Sequence, residues 1–167
     1  QRSNIKLNNP MTAFSFKNLE DQIRSIAIFI IVDFMWNTIK RNMKKRILIV
    51  DEAWYLMKTQ ASAEFLWDFA KRARKYNLGL TTITQDIEDF LSTDLGKTIV
   101  TNSSIQILMK QSPAAIDKLA EVFYLSEGEK SLLLSANVGE GLFFAGSSHV
   151  AMRVVSSDEE HKLISSN

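Results

Sequence analysis

The chain has 167 residues, a formal net charge of +1, 46% hydrophobic and 23% charged residues, and no cysteine. That balance fits one globular domain with its own core, and it excludes a disordered chain, a disulfide scaffold and a thiolate metal site. Near-neutral charge gives no whole-chain argument for nucleic acid, and the two histidines, His149 and His161, lack a partner at zinc-ligand spacing.

Residues 1–9 are polar and have no apolar centre of the kind a signal peptide needs. The chain opens without methionine and in mid-pattern, as expected of a piece of a longer protein. Residues 13–16 read as a short strand, and Asn18 reads as the cap of a helix reaching about Met43. Within it Ile23, Ile26, Ala27, Ile30, Ile31, Phe34 and Met35 recur at helical spacing. Its most apolar stretch, residues 26–36, contains Asp33 and is shorter than the roughly 20 residues a bilayer requires. The cations Lys40, Arg41, Lys44, Lys45 and Arg46 suit the negative end of the helix dipole, with a DNA-binding patch as the alternative.

The most informative stretch follows. Ile47, Leu48, Ile49 and Val50 run directly into Asp51 and Glu52. Four consecutive apolar residues predict a strand buried on both faces of a parallel sheet. Its carboxylates then lie at the carboxyl end, where open α/β sheets bind ligands. Residues 61–76 predict an amphipathic helix carrying Phe65, Leu66, Phe69, Ala70 and Ala73 on one face, with Gly79 as its stop. A second strand over 80–84 ends in Gln85 and Asp86, residues 86–101 read as partly helical, and residues 105–109 read as a third strand of the buried type.

Ser112 and Pro113 open a helix to about Phe123, and Ser126 with Glu129 forms a capping box before a helix over 130–136. Residues 141–145 and 150–155 predict a hairpin, and Ser157 with Glu160 forms a second capping box before a helix through Ile164. Alternation of helix and strand through the middle predicts an α/β fold, mostly parallel, with a late antiparallel hairpin.

The chemistry resides in few residues. If the two strands lie side by side, Glu52 and Gln85 project from neighbouring strand ends. A carboxylate there can polarise an attacking water, and an amide can both donate to a phosphate oxygen and accept from water. Arg72, Arg74 and Lys75 on the intervening helix include a candidate arginine finger, or else are ordinary surface cations. A Gly-x4-Gly-Lys-Ser/Thr phosphate loop does not occur; Gly139-Glu140-Gly141 has no following lysine and precedes a strand.

In order, Ile47 to Trp54, Ala70 to Tyr76, Thr82 to Asp86, Gly139 to Leu142 and Ser156 to Ile164 resemble segments of one family. This is the CagE/TrbE/VirB family of conjugative type IV secretion ATPases, related to TraC and more distantly to HerA and FtsK. The resemblance covers roughly residues 28–164. It implies a single partial RecA-like domain over 1–167, ATP with Mg2+, a hexamer in the parent, and work beside other channel subunits at the cytoplasmic face of the bacterial cell membrane. Carried over, Asp51 would hold the magnesium through water and Glu52 would be the general base. Gln85 would sense the γ-phosphate, and Arg74, ahead of Arg72, would be the finger acting in trans. The departure is the phosphate loop, so the chain on its own is expected to be inactive while its parent hydrolyses ATP. The resemblance also implies a strand, carrying that loop, between the second and third strands read above, and a chain that compensates by unusual pairing or self-association. The alternatives are a DNA-pumping motor, which the charge does not support, and a non-catalytic interaction module that keeps the fold.

Overall fold

The computed structural model describes residues 9–85 and 87–164. Residues 1–8, 86 and 165–167, and with them Asp86 of the glutamine segment, lie outside the described residues. The chain forms helix α1 (Asp21–Arg41), strand β1 (Arg46–Val50), helix α2 (Gln60–Ala73), strand β2 (Leu78–Thr82), helices α3 (Ile87–Leu91) and α4 (Asp94–Thr101), and strand β3 (Ile105–Leu108). Helices α5 (Ile116–Phe123) and α6 (Glu127–Ser135), strands β4 (Glu140–Ala145) and β5 (Ser148–Arg153), and helix α7 (Asp158–Ile164) complete it.

The α/β class, the parallel neighbours and the late hairpin are as expected. Strands β1 and β2 pair in parallel with Leu48 opposite Leu80, and β4 and β5 form a hairpin closed by Gly146 and Ser147. The parallel part is only two strands wide. Strand β3 pairs antiparallel with β4, Ile107 opposite Phe143, and has no ladder to β2. The sheet is therefore divided at the place where the loop-bearing strand was expected, and among the described residues no unusual pairing closes it.

Each part has its own core. Ile28, Val32, Trp36 and Ile39 of α1 pack on Leu66 and Phe69 of α2, Val50 and Leu78 of the strands, and Phe90 and Ile99 beyond them. Trp36 meets Phe69 edge-on at 4.5 Å between ring centres. The second core joins Leu108, Ile116, Leu119, Leu133, Leu142 and Phe144.

Several local readings are corrected. Residues 13–16 form no strand; Phe16 instead packs on the core and its carbonyl accepts from the Leu19 amide in a turn. Helix α1 starts after Glu20, so Asn18 does not cap it. Asn77, in the left-handed region at φ 55°, ends the α2 segment, and Gly79 lies inside β2. Asn tolerates that conformation because its short amide can bond locally. The glycines at 139 and 141 have structural uses. Gly139 sits at φ 84°, and a Cβ on Gly141 would stand 2.2 Å from the Leu108 carbonyl oxygen of β3.

Helix α1 is apolar beyond the stretch first singled out. By length and composition alone, residues Gln22–Arg41 are long and apolar enough to cross a membrane, although one face of the helix belongs to the core.

Neither β1 nor β3 is buried on both faces. Ile47 and Ile49 are 76% and 61% exposed, and Ile105 and Ile107 are 63% and 52% exposed. Helices cover one face of each strand; among the described residues nothing covers the other. Two open strand edges and two bare apolar faces favour pairing with another chain. The isolated chain is accordingly expected to self-associate, with a mass in light scattering that rises with concentration and falls on Ile49→Lys with Ile107→Lys. A monodisperse monomer at high concentration would contradict this.

The first capping box is present as expected. Ser126 Oγ accepts from the Glu129 amide, while the Glu129 carboxylate accepts from the Ser126 amide at 2.8 Å. Its other oxygen lies 2.5 Å from His149 Nε2, which ties α6 to the hairpin. The Ser126 side chain first, then its backbone amide, hold the Glu129 carboxyl below its usual range; burial opposes them, and the nearby His149 adds a smaller lowering effect. A carboxyl depressed in the folded state adds stability above its unfolded value, and that stability is lost as pH falls through the folded value. Ser126→Ala is expected to cost about 1 kcal/mol in urea unfolding at neutral pH, and less as pH falls through the depressed Glu129 value. Phe69→Ala should cost about 3–5 kcal/mol in the same assay.

Candidate functional site

Parallel pairing of β1 with β2 continues past the last regular residues. The Ile83 amide donates to the Val50 carbonyl, and the Ala53 amide donates back to the Ile83 carbonyl, both at 2.9 Å. These bonds hold the two strand ends in register as the chain leaves the sheet. Between them Glu52 adopts the left-handed region at φ 52° and ψ 45°. For a residue with a Cβ that conformation costs about 1–2 kcal/mol. It turns the chain sharply from β1 into a short 3₁₀ helix, Ala53–Lys58, whose Ala53, Tyr55, Leu56 and Met57 are buried.

The turn aims the Glu52 side chain across to β2. Gln85 Nε2 donates to Glu52 Oε1 at 2.9 Å. Trp54 Nε1 donates to the other oxygen, Oε2, at 2.6 Å. Both carboxylate oxygens are thus engaged by neutral N–H donors, which leave the carboxylate unpaired with any cation by these bonds. Asp51 lies at the same strand end. One of its oxygens accepts from the Glu52 amide at 3.0 Å, and the side chain is exposed.

Glu52, Trp54 and Gln85 line one wall of a cleft of about 460 Å³, and Ile87 and Glu88 continue it. The opposite wall is Lys110, Gln111 and Ser112, which follow β3, with Ala114 and Ala115 before α5. The cleft therefore opens at the carboxyl ends of three strands and between the two cores. Lys110 forms no ion pair among the described residues, so one cation faces two carboxylates with room between them. A polyanion carrying hard cations suits such a rim better than a neutral apolar ligand does.

Glu52 and Gln85 are brought together as the sequence suggested. Asp51 shares their strand end but does not line the cleft. Arg74 lies at the far end of the sheet. It precedes the first residue of β2, whereas Gln85 follows the last. Roughly 20 Å of strand separates them, so Arg74 cannot serve the cleft of its own chain. Arg72 is paired with Asp68 of its own helix at 2.8 Å. Sequence reasoning missed Trp54 and Lys110. Lys110 directly follows an apolar strand, as Glu52 and Gln85 do, and that shared position was the available signal.

Magnesium takes oxygen ligands, commonly one or two carboxylates with waters and substrate phosphates. Asp51 and Glu52 supply such oxygens, and among the described residues no cluster of three or more metal-ligating side chains occurs. The donor set therefore fits an ion that arrives with a phosphate ligand.

A family model, the TraG P-loop domain, matches residues 2–143. The chain belongs to that family. Among solved structures, VirB4 of Thermoanaerobacter pseudethanolicus is similar to this TraG-type domain, with 35% identity over 86% of the chain and a TM-score of 0.80. The chain spans about 40% of the length of that VirB4. No curated protein matches it.

Proposed function

We propose that this chain is the water-activating part of an ATP-hydrolysing domain in a type IV secretion traffic ATPase. The observation that carries the reading is the Glu52–Gln85 contact at the carboxyl ends of two parallel strands, on the rim of a cleft with Lys110 opposite. The TraG family match and the likeness to VirB4 support the same reading.

In this reading Glu52 accepts the proton of the attacking water and sets its direction toward the terminal phosphate. Gln85 carries both a donor and an acceptor, so its amide can contact a γ-phosphate oxygen on one side and Glu52 or water on the other. Asp51 would hold the water shell of a magnesium ion arriving with the nucleotide, and that ion would supply charge neutralisation at the phosphate oxygens. Lys110 adds a positive charge on the opposite wall. The phosphate loop comes from outside these 167 residues, on a strand that fits the open edges of β2 and β3. Arg74, at the far end of its own sheet, acts in the cleft of a neighbouring subunit, which implies a ring, a hexamer in the parent. That ring works beside other channel subunits at the cytoplasmic face of the bacterial cell membrane.

Glu52→Gln in the intact protein is expected to lower ATP turnover at least about 100-fold while nucleotide affinity stays within a fewfold of wild type, as read by phosphate release and by equilibrium binding of a fluorescent ATP analogue. Undiminished turnover would remove Glu52 from the chemistry and the proposed function with it.

A further inference from the structure

The role of Trp54 in the site is not accounted for by packing alone. Its ring stacks on Tyr55 at 4.0 Å between centres, nearly parallel at 26°. The Lys58 ammonium sits over both rings, 4.5 Å from Trp54 and 4.4 Å from Tyr55. Tyr55 in turn is buried, and its hydroxyl accepts from Arg24 of α1 at 2.7 Å. The indole is thus held on one face by a neighbour anchored to the core helix, and its N–H ends on Glu52 Oε2 at 2.6 Å.

We propose that Trp54 is a positioning residue for Glu52, and that it holds the carboxylate while Gln85 is free to exchange partners. This rests on the hydrolase reading above. The argument is one of donor chemistry. A carboxylate has about four lone-pair sites, and two are occupied here by Trp54 and Gln85. The remaining directions are defined only if the carboxylate cannot rotate. Gln85 is an uncertain anchor because its amide also has an acceptor and a second donor and can turn to a ligand. Indole is a donor only, so Trp54 has no competing acceptor role, and its N–H is given to Glu52. Glu52 itself projects from a left-handed backbone turn at a strand end, where three side-chain torsions would otherwise be loosely held. Clamping one oxygen from a rigid aromatic pair leaves the other available to alternate between Gln85 and a cleft water. Lys58, stacked over the indole, polarises the ring and strengthens the N–H as a donor.

Trp54→Phe keeps an aromatic ring beside Tyr55 and removes the N–H together with the pyrrole part of the indole. In the intact protein it is expected to lower kcat for ATP about 10- to 100-fold, with KM and the melting temperature close to wild type. In the 15N-labelled 167-residue chain, the indole N–H resonance that disappears in Trp54→Phe is expected to lie downfield and to move upfield in Glu52→Ala. A Trp54→Phe protein with wild-type kcat beside an inactive Glu52→Gln protein would overturn the proposal and leave the hydrolase reading standing. An active Glu52→Gln protein would instead remove the reading beneath it. If Trp54→Phe does not fold, the Trp54 indole resonance is assigned in the unsubstituted chain through its own backbone connectivities, and a signal unmoved by Glu52→Ala overturns the clamp.

Discussion

Two backbone hydrogen bonds, Ile83 to Val50 and Ala53 to Ile83, carry the parallel register of β1 and β2 beyond the sheet. On that register depends which side chain of β2 stands opposite which side chain of β1. Side chains alternate along a strand, so a slip of one residue would send Gln85 to the other face and leave Glu52 without its partner. The register is enforced by burial. Val50 and Leu78 point into a core closed by α1 and α2, and a slip would expose them. The polar contact at the rim is therefore a consequence of apolar packing at the base.

The left-handed turn at Glu52 is the second constraint. Strain of this kind persists only where the surroundings over-determine it. Here they do: Ala53 is fully buried, its amide is bonded to β2, and the following turn inserts Tyr55, Leu56 and Met57 into the core. The stability of those contacts offsets the unfavourable conformation, and the result is a carboxylate delivered to the strand end with both oxygens directed at donors. Strain, packing and the site chemistry meet in one residue.

A divided sheet gives the molecule its other character. Each half has a core, and the cleft lies between them, bounded on one side by β1 and β2 and on the other by the segment after β3. An α/β sheet places ligands at the carboxyl ends of its strands because loops there can converge while the strands stay rigid. Strand β3 meets this rule without pairing to β2. Its ladder partner is the hairpin, and the tight approach of Gly141 to Leu108 makes that pairing possible.

Much of this was legible in the residues. The apolar run into Asp51 and Glu52, the strand ending in Gln85, the Ser126–Glu129 box and the hairpin all follow from local pattern, because hydrophobic period, cap chemistry and turn residues act over a few neighbours. The exposed side chains of Ile47 and Ile105 were not legible, since an apolar residue on a strand reads as buried whether or not another element covers it. Nor was the position of Arg74, because a helix that returns to the start of the next strand carries its last turn away from the strand ends, and only the path of the chain shows it. Trp54 and Lys110 gained their places by convergence of segments distant in sequence, or by a backbone conformation that glutamate seldom adopts. The amino-acid order by itself determined which groups could do chemistry and on which kinds of element they lie. The tertiary structure alone decided which of them share a cleft, because distance across a fold is set by packing and register rather than by separation along the chain.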